Sequence, residues 1–175
     1  MAINWDGLGS TIKSYFVTKS APDRGTTAAK FIAMQYHVAM LSGGEMLAGN
    51  MVIKPNPVAL ENMIALSFTR GYTVWSGMYD SLELIGRGLQ LYWMGAVLAP
   101  MIPPPGAIAV INNICLSPGQ FFSMPLPPTL SDDLWVDVFI GVARTHALSL
   151  SGQMVVLIPT FFGPVPMVLP WFGYR

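Results

Sequence analysis

The sequence has few charged residues and a single cysteine. Charged residues make up 10% of the 175 positions, against about 25% in ordinary soluble domains. Nine basic residues balance nine acidic ones. Because phosphate neutralisation needs clustered Lys and Arg, this balance argues against direct nucleic-acid binding. The lone Cys115 excludes an internal disulfide and a cysteine-based zinc cluster, and its apolar neighbours indicate a buried, inert thiol.

The sequence also lacks targeting and catalytic motifs. The N-terminal stretch "MAINWDGLGSTIKSYF" has no basic segment followed by an apolar one, so no secretory signal is predicted. Neither Ser10 nor Ser117 lies in a Gly-x-Ser-x-Gly elbow, and no strand precedes "GLGS" as a dinucleotide site requires. Asp132 and Asp133 suit helix capping better than cation binding. We therefore expect a protein without enzymatic activity, cofactor or metal ion.

Charge and proline are unevenly distributed. Residues 88–131 and 145–174 contain no Asp, Glu, Lys or Arg, and twelve of the fifteen prolines follow residue 88. A membrane-spanning helix needs about 20 apolar residues. The first run reaches only Ile102 before "PPPG", and four prolines interrupt the second. These runs predict apolar, extended arms that are covered by protein rather than by lipid.

Hydrophobic spacing, caps and glycines predict a mainly α fold: a helical core of about four helices, with Pro-rich extended arms and a few short strands. We expect a single domain overall. Its predicted regions are a helical region at 1–98, a Pro-rich arm with a short strand at 99–130, a helix at 131–152 and an extended apolar C-terminal arm at 153–175.

Local signals place the individual helices. Asn56 is the predicted N-cap of a helix that starts at Pro57, and Ser131 is the predicted N-cap of the clearest helix in the chain. A longer helix is predicted from Thr73 to about Leu98. Its glycines at 77, 86, 88 and 95 indicate close packing or a break near residues 86–88.

Two stretches share a pattern of His, three small or apolar residues and Leu-Ser-Gly. They are "HVAMLSGG" and "HALSLSGQ", and we refer to them as the helix-exit repeat. A metal or acid–base pair is one interpretation, but neither His has an acidic residue at helical spacing. We expect instead that each His satisfies the terminal carbonyls of a helix that ends in Leu-Ser-Gly. The repeat comprises His37, Leu41, Ser42, Gly43, His146, Leu150, Ser151 and Gly152.

Aromatic residues in or next to the apolar runs are candidate contacts between subunits. A Pro-flanked aromatic terminus is costly to leave in water, which favours its docking on a neighbour. The subunit-interface candidates are Trp93, Phe121, Phe122, Phe161, Phe162, Trp171, Phe172 and Tyr174.

A neutral chain rich in Met, Gly and Pro, with apolar arms and the helix-exit repeat, resembles the virion structural proteins of tailed bacteriophages and other large DNA viruses. The resemblance is one of overall composition and extends over the whole chain. It implies a structural subunit of a capsid, neck or tail, assembled in the host cytoplasm with copies of itself and other virion proteins, and held by arms exchanged between subunits.

Two other functions remain open on the sequence. One is a small integral membrane protein with re-entrant Pro-rich segments, which would be located in a membrane. The other is a ligand-binding helical module with a pocket between the helices at 27–42 and 132–150.

Overall fold

The structure of this protein is a computed structural model. The residues that it describes are 3–18, 25–43, 51–53, 55–69, 75–94, 97–99, 108–111, 131–149, 154–160 and 163–168.

Helices dominate the described residues, which confirms the predicted helical core. There are five helices where about four were expected: α1 (Trp5–Thr18), α2 (Thr26–Gly43), α3 (Pro57–Thr69), α4 (Trp75–Trp93) and α5 (Asp132–Ser149). Each helix packs against its neighbour in the chain, and α1 also packs against α5. The five helices therefore form a closed ring around one apolar core.

Capping explains where several helices begin. The Oδ1 of Asn56 accepts from the Ala59 amide at 3.1 Å, and the Oγ of Ser131 accepts from the Leu134 amide at 3.2 Å. Both predicted N-caps are thus confirmed. Asn4, which the sequence analysis missed, caps α1 by accepting from the Gly7 amide at 2.8 Å. With this cap, α1 begins at Trp5. The apolar residues at helical spacing begin three residues later, so the sequence pattern alone places the start of the helix too late.

Helix α4 runs without a break through residues 86–88. A Cβ added at Gly88 would lie 2.8 Å from the Cβ of Met63 and 3.1 Å from Leu60 Cδ1. Of the two predicted meanings of these glycines, close packing is the one that applies at Gly88. The predicted extension of this helix to Leu98 is wrong, because α4 ends at Trp93 and Leu98 lies in a strand.

Five strands form one antiparallel sheet in chain order. They are β1 (Met51–Ile53), β2 (Val97–Ala99), β3 (Ile108–Ile111), β4 (Met154–Thr160) and β5 (Gly163–Val168). Strands β1, β2 and β4 are the elements that follow α2, α4 and α5. Strands β4 and β5 occupy much of the predicted C-terminal arm and pair with each other from Thr160↔Gly163 outwards.

Prolines fit this hairpin because of their register. The two residues that flank a two-residue hairpin loop form a hydrogen-bonded pair. Along the antiparallel ladder, hydrogen-bonded pairs then alternate with non-hydrogen-bonded pairs. Pro164 and Pro166 fall in non-hydrogen-bonded pairs, opposite Pro159 and Leu157. Their nitrogens therefore point to the open edge of β5, where a missing N–H breaks no ladder bond.

The core of the bundle is made of large apolar and aromatic side chains. Its largest fully buried members are Trp93, Trp135, Tyr36, Tyr92, Phe139, Ile12, Ile32, Met40, Leu60 and Ile64.

Candidate functional site: the aromatic cluster and the outer face of helix α2

Two consecutive residues of α2 meet two consecutive residues of α4. The indole Nε1 of Trp93 donates to the phenol oxygen of Tyr36 at 3.1 Å. Next to it, His37 Nδ1 lies 2.8 Å from the hydroxyl of Tyr92. We call these four residues the aromatic cluster. The cluster therefore fixes the spacing of two helices, each of which is followed by a strand in the chain.

The cluster continues into α5. Tyr36 packs edge to face on Phe139 with ring centroids 6.4 Å apart, and Phe139 stacks on Trp135 at 5.6 Å. Trp135 also contacts Phe68 of α3 at 5.0 Å. At this level the space between α2 and α5, where a ligand pocket was an alternative, is filled by fully buried rings.

Burial keeps the ionisable groups of the cluster neutral. Desolvation raises the pKa of the Tyr36 hydroxyl well above its usual range. Desolvation also lowers the pKa of His37, whose ring is only partly buried. Neutral, hydrogen-bonded groups of this kind stabilise a core and are poor acids or bases near neutral pH.

The second histidine of the helix-exit repeat lies in a different environment. His146 is buried at 1% exposure, and desolvation lowers its pKa to about 4. The ring is therefore neutral at physiological pH and supplies no cation to the end of α5. A histidine can satisfy terminal carbonyls as a cation or through a neutral ring N–H, and at His146 only the neutral ring is compatible with this pKa.

The two copies of the repeat are thus not equivalent. His37 binds a tyrosine across the bundle six residues before α2 ends at Gly43, whereas His146 is in the last turn of α5. Both helices are followed by a strand, β1 after α2 and β4 after α5. Leu150, Ser151 and Gly152 lie outside the described residues.

One predicted interface residue can be placed. Trp93 is fully buried in the core and bonded to Tyr36, so its side chain is not available to another subunit and this prediction is corrected. The mostly apolar residues on both sides of it gave no sign of which way it faces. The other candidates fall outside the described residues: Phe121, Phe122, Phe161, Phe162, Trp171, Phe172 and Tyr174.

The structure adds a surface that sequence reasoning missed. Met34, Val38 and Leu41 of α2 are 42%, 52% and 49% exposed, on the side opposite the buried Tyr36 and Met40. Phe31 continues the row and is partly buried, with one face stacked on Tyr15 at 4.7 Å. We call Phe31, Met34, Val38 and Leu41 the outer seam. The signal was present in the sequence, since α2 is apolar on both faces, but periodicity analysis assigns only one face to a core.

Charged residues form ion pairs on the surface. Glu83 and Arg87 pair within α4 at 2.6 Å, as their spacing predicts. Lys13 of α1 pairs with Asp137 of α5 at 2.7 Å, where the first and last helices of the ring meet. Within the described ranges, no group of three or more His, Cys, Asp or Glu side chains is placed to hold a metal ion.

None of the helices that the structure describes combines the length and the apolar character needed to cross a bilayer.

Comparison with known proteins gives no relative for this chain. No family model matches it, no curated protein matches it, and no solved structure matches it.

Proposed function

We propose that this chain is a non-enzymatic structural subunit of a multi-subunit assembly, a viral capsid, neck or tail component. Copies of the chain and other virion proteins are its partners, without direct contact to nucleic acid. The observation that carries the proposal is the outer seam, because Met34, Val38 and Leu41 expose a row of apolar side chains on a helix whose other face is already buried. A row of this kind marks a surface for protein contact.

The rigidity of the bundle supports the same function. Rings from α2, α3, α4 and α5 pack in one continuous core, and Trp93 and Tyr36 satisfy each other's polar atoms. A subunit that presents fixed surfaces loses little entropy on assembly.

Apolar burial between subunits supplies the mechanism. The arms at 99–130 and 153–175 carry a single charge, Arg175. At about 25 cal/mol per Å², about 1,000 Å² of apolar burial gives a gross gain of about 25 kcal/mol before entropic costs.

Exchange of the C-terminal arm would be a strand swap. Within one chain, β4 pairs with β3 from Ile108↔Leu157 to Ile111↔Met154. In the proposed assembly β4 of one subunit makes the same pairs with β3 of its neighbour. Such a swap reuses the existing register and needs no new contact.

The test is deletion of residues 159–175. Sedimentation without detergent and negative-stain imaging measure assembly, and far-ultraviolet circular dichroism measures helix content. We expect the full chain to form discrete rings, tubes or shells. The deletion should abolish these particles and keep most of the helix signal, because none of the five helices is removed.

The control is Val17→Ser, which changes an exposed apolar residue of α1 outside the deleted segment. It should assemble as the full chain does. An unchanged oligomer after the deletion contradicts arm exchange. Recovery of the full chain only from the membrane pellet, as a small species in mild detergent, contradicts the virion function and supports a small integral membrane protein with re-entrant segments.

A further inference from the structure

We propose that the outer seam is the docking site for a second copy of this chain, through an antiparallel pair of α2 helices about a two-fold axis. The inference rests on the proposed structural function and names one contact within it. That contact lies on the bundle and is separate from the arms.

The spacing of the seam fits such a pair. At about 100° per residue, its four members fall within an arc of about 80° on the helix. Their intervals are three, four and three residues, which is the a/d spacing of a coiled-coil seam. The side chains also project directly away from the core face that holds Tyr36 and Met40.

The spacing is also the same when read backwards. An antiparallel copy centred on residue 36 places Phe31 opposite Leu41 of the second copy, and Met34 opposite Val38. All four resulting contacts join one apolar side chain to another, in the a-to-d layers of an antiparallel helix pair. A two-fold contact requires this kind of self-complementary surface.

Charge is compatible with a contact between identical surfaces. In a two-fold interface a surface meets the identical surface of the second copy. A surface whose charges all have one sign is therefore repelled by its copy. From Phe31 to Leu41 the sequence contains no Asp, Glu, Lys or Arg. The titratable groups there are Tyr36, which is fully buried with its pKa raised by desolvation, and His37, which bonds to Tyr92 and whose pKa is lowered by burial.

Neighbouring residues extend the surface towards the size that a stable dimer needs. Helix α2 has 18 residues and is about 27 Å long. The adjacent α3 exposes Val58 and Leu66, at 59% and 46%. A specific interface buries about 1,200 to 2,000 Å² in total, which is more than four side chains supply, so the proposed contact includes Val58 and Leu66 of α3.

A membrane surface is the less favoured occupant. Helices that lie in a bilayer interface carry Lys and Arg on a wet polar face. Opposite its seam, α2 presents the core of the bundle, and Lys30 is its only Lys or Arg.

The first experiment measures mass by sedimentation velocity over a range of concentrations. The variant M34K/V38K places four like charges across the proposed axis. We expect it to shift the dimer–monomer midpoint to at least about 100-fold higher concentration, as a loss of two or more hot-spot contacts implies. The control is V17K, at an exposed apolar site on α1, which should dimerise as the unchanged chain does. Circular dichroism should show that both variants remain folded.

The second experiment tests orientation. In a Cys115→Ser background, M34C and V38C proteins are oxidised separately and as a mixture. The antiparallel pair brings position 34 to position 38 of the copy, so the mixture should give a mixed disulfide in high yield. Equal yields of the two unmixed disulfides would indicate a parallel pair and overturn the proposal, and so would the absence of any disulfide.

Three further outcomes separate this inference from the proposed function. A seam dimer that persists after deletion of 159–175 supports the inference, even if no larger particle ever forms. Particles of the full chain that are unaffected by M34K/V38K sink the seam contact and leave the structural function standing. Binding to neutral phosphatidylcholine vesicles that M34K/V38K abolishes, with a monomer in solution, assigns the seam to lipid and overturns the second-copy proposal.

Discussion

Trp93 donates its indole N–H to the hydroxyl of Tyr36, and both side chains are fully buried. The two residues are 57 positions apart in the sequence, so this bond orders α2 and α4 against each other. Each group would otherwise be a polar atom in an apolar core, and that is the costly state.

The first prediction concerns this bond. Tyr36→Phe removes the acceptor and leaves the Trp93 N–H without it, so we expect a loss of about 1 to 3 kcal/mol in the free energy of unfolding. Tyr92→Phe is the matched control. Its partner His37 is partly exposed and can bond to water instead, so the loss should be about 1 kcal/mol or less. Urea denaturation measures the free energy of unfolding of both variants. Equal losses would contradict the larger contribution expected from the Trp93–Tyr36 bond.

The second prediction tests the close approach of α3 and α4. Gly88→Ala gains up to about 1 kcal/mol of helix propensity. It also places a methyl group 2.8 Å from Met63 Cβ, an atom that cannot rotate away. Overpacking of this kind costs about 1 to 3 kcal/mol, and we expect net destabilisation.

Gly141→Ala is the control for that substitution. A Cβ at this exposed helical position meets nothing within 4 Å. It should therefore stabilise the protein by about 1 kcal/mol or less. Thermal unfolding shows the sign of each change directly, and an upward shift for Gly88→Ala would mean that the two helices can separate.

The third prediction concerns the start of α5. Ser131→Ala removes the acceptor for the Leu134 amide and should cost about 1 kcal/mol. Ser131→Asn keeps a capping oxygen and should restore most of the loss. Chemical denaturation of the three proteins measures the difference. If Ala and Asn behave alike, the serine does not stabilise the helix through its side chain.

Local signals were sufficient to predict most of the helices. Pro57 after Asn56, and Asp132 and Asp133 after Ser131, are short-range patterns whose effect does not depend on the rest of the fold. Asn4 was missed because glycines at 7 and 9 obscure the first turn of α1.

Long-range relationships could not be predicted in this way. Tyr92 and Trp93 are fully buried whereas Met94 is exposed, and no local pattern distinguishes these three neighbours. The pairing of β1 with β2 joins residues on either side of α3 and α4, and sequence periodicity contains no information on such pairs. Prolines in the C-terminal arm predicted extended chain but no strand pairing, although Pro164 and Pro166 occupy positions of β5 that need no N–H.

The outer seam shows a different limit. A helix that is apolar on two faces has a weak amphipathic signal, so the method that locates a core cannot detect a second apolar surface. Exposure of Met34, Val38 and Leu41 becomes visible only when the bundle defines what is buried.

The last prediction is a pH dependence that follows from His146. Its pKa is lowered to about 4 by burial, against about 6.5 in an unfolded chain. Between these values the unfolded chain binds a proton that the folded protein does not, so the free energy of unfolding falls as the pH falls. The stabilisation is fully present above about pH 6.5 and is lost progressively towards pH 4, with a total of roughly 3 kcal/mol.

His146→Gln removes this titration and keeps a neutral polar side chain. Carboxylates titrate equally in both proteins, so the difference between their unfolding free energies isolates the histidine. We expect that difference to shift by roughly 3 kcal/mol against the wild type between about pH 7 and pH 4. His37→Gln is the control, and it should produce a smaller shift because His37 is only partly buried. Parallel curves for wild type and His146→Gln would mean that the His146 ring is protonated in the folded protein as readily as in the unfolded chain, and hence that the end of α5 opens at a higher pH than the one at which the helices unfold.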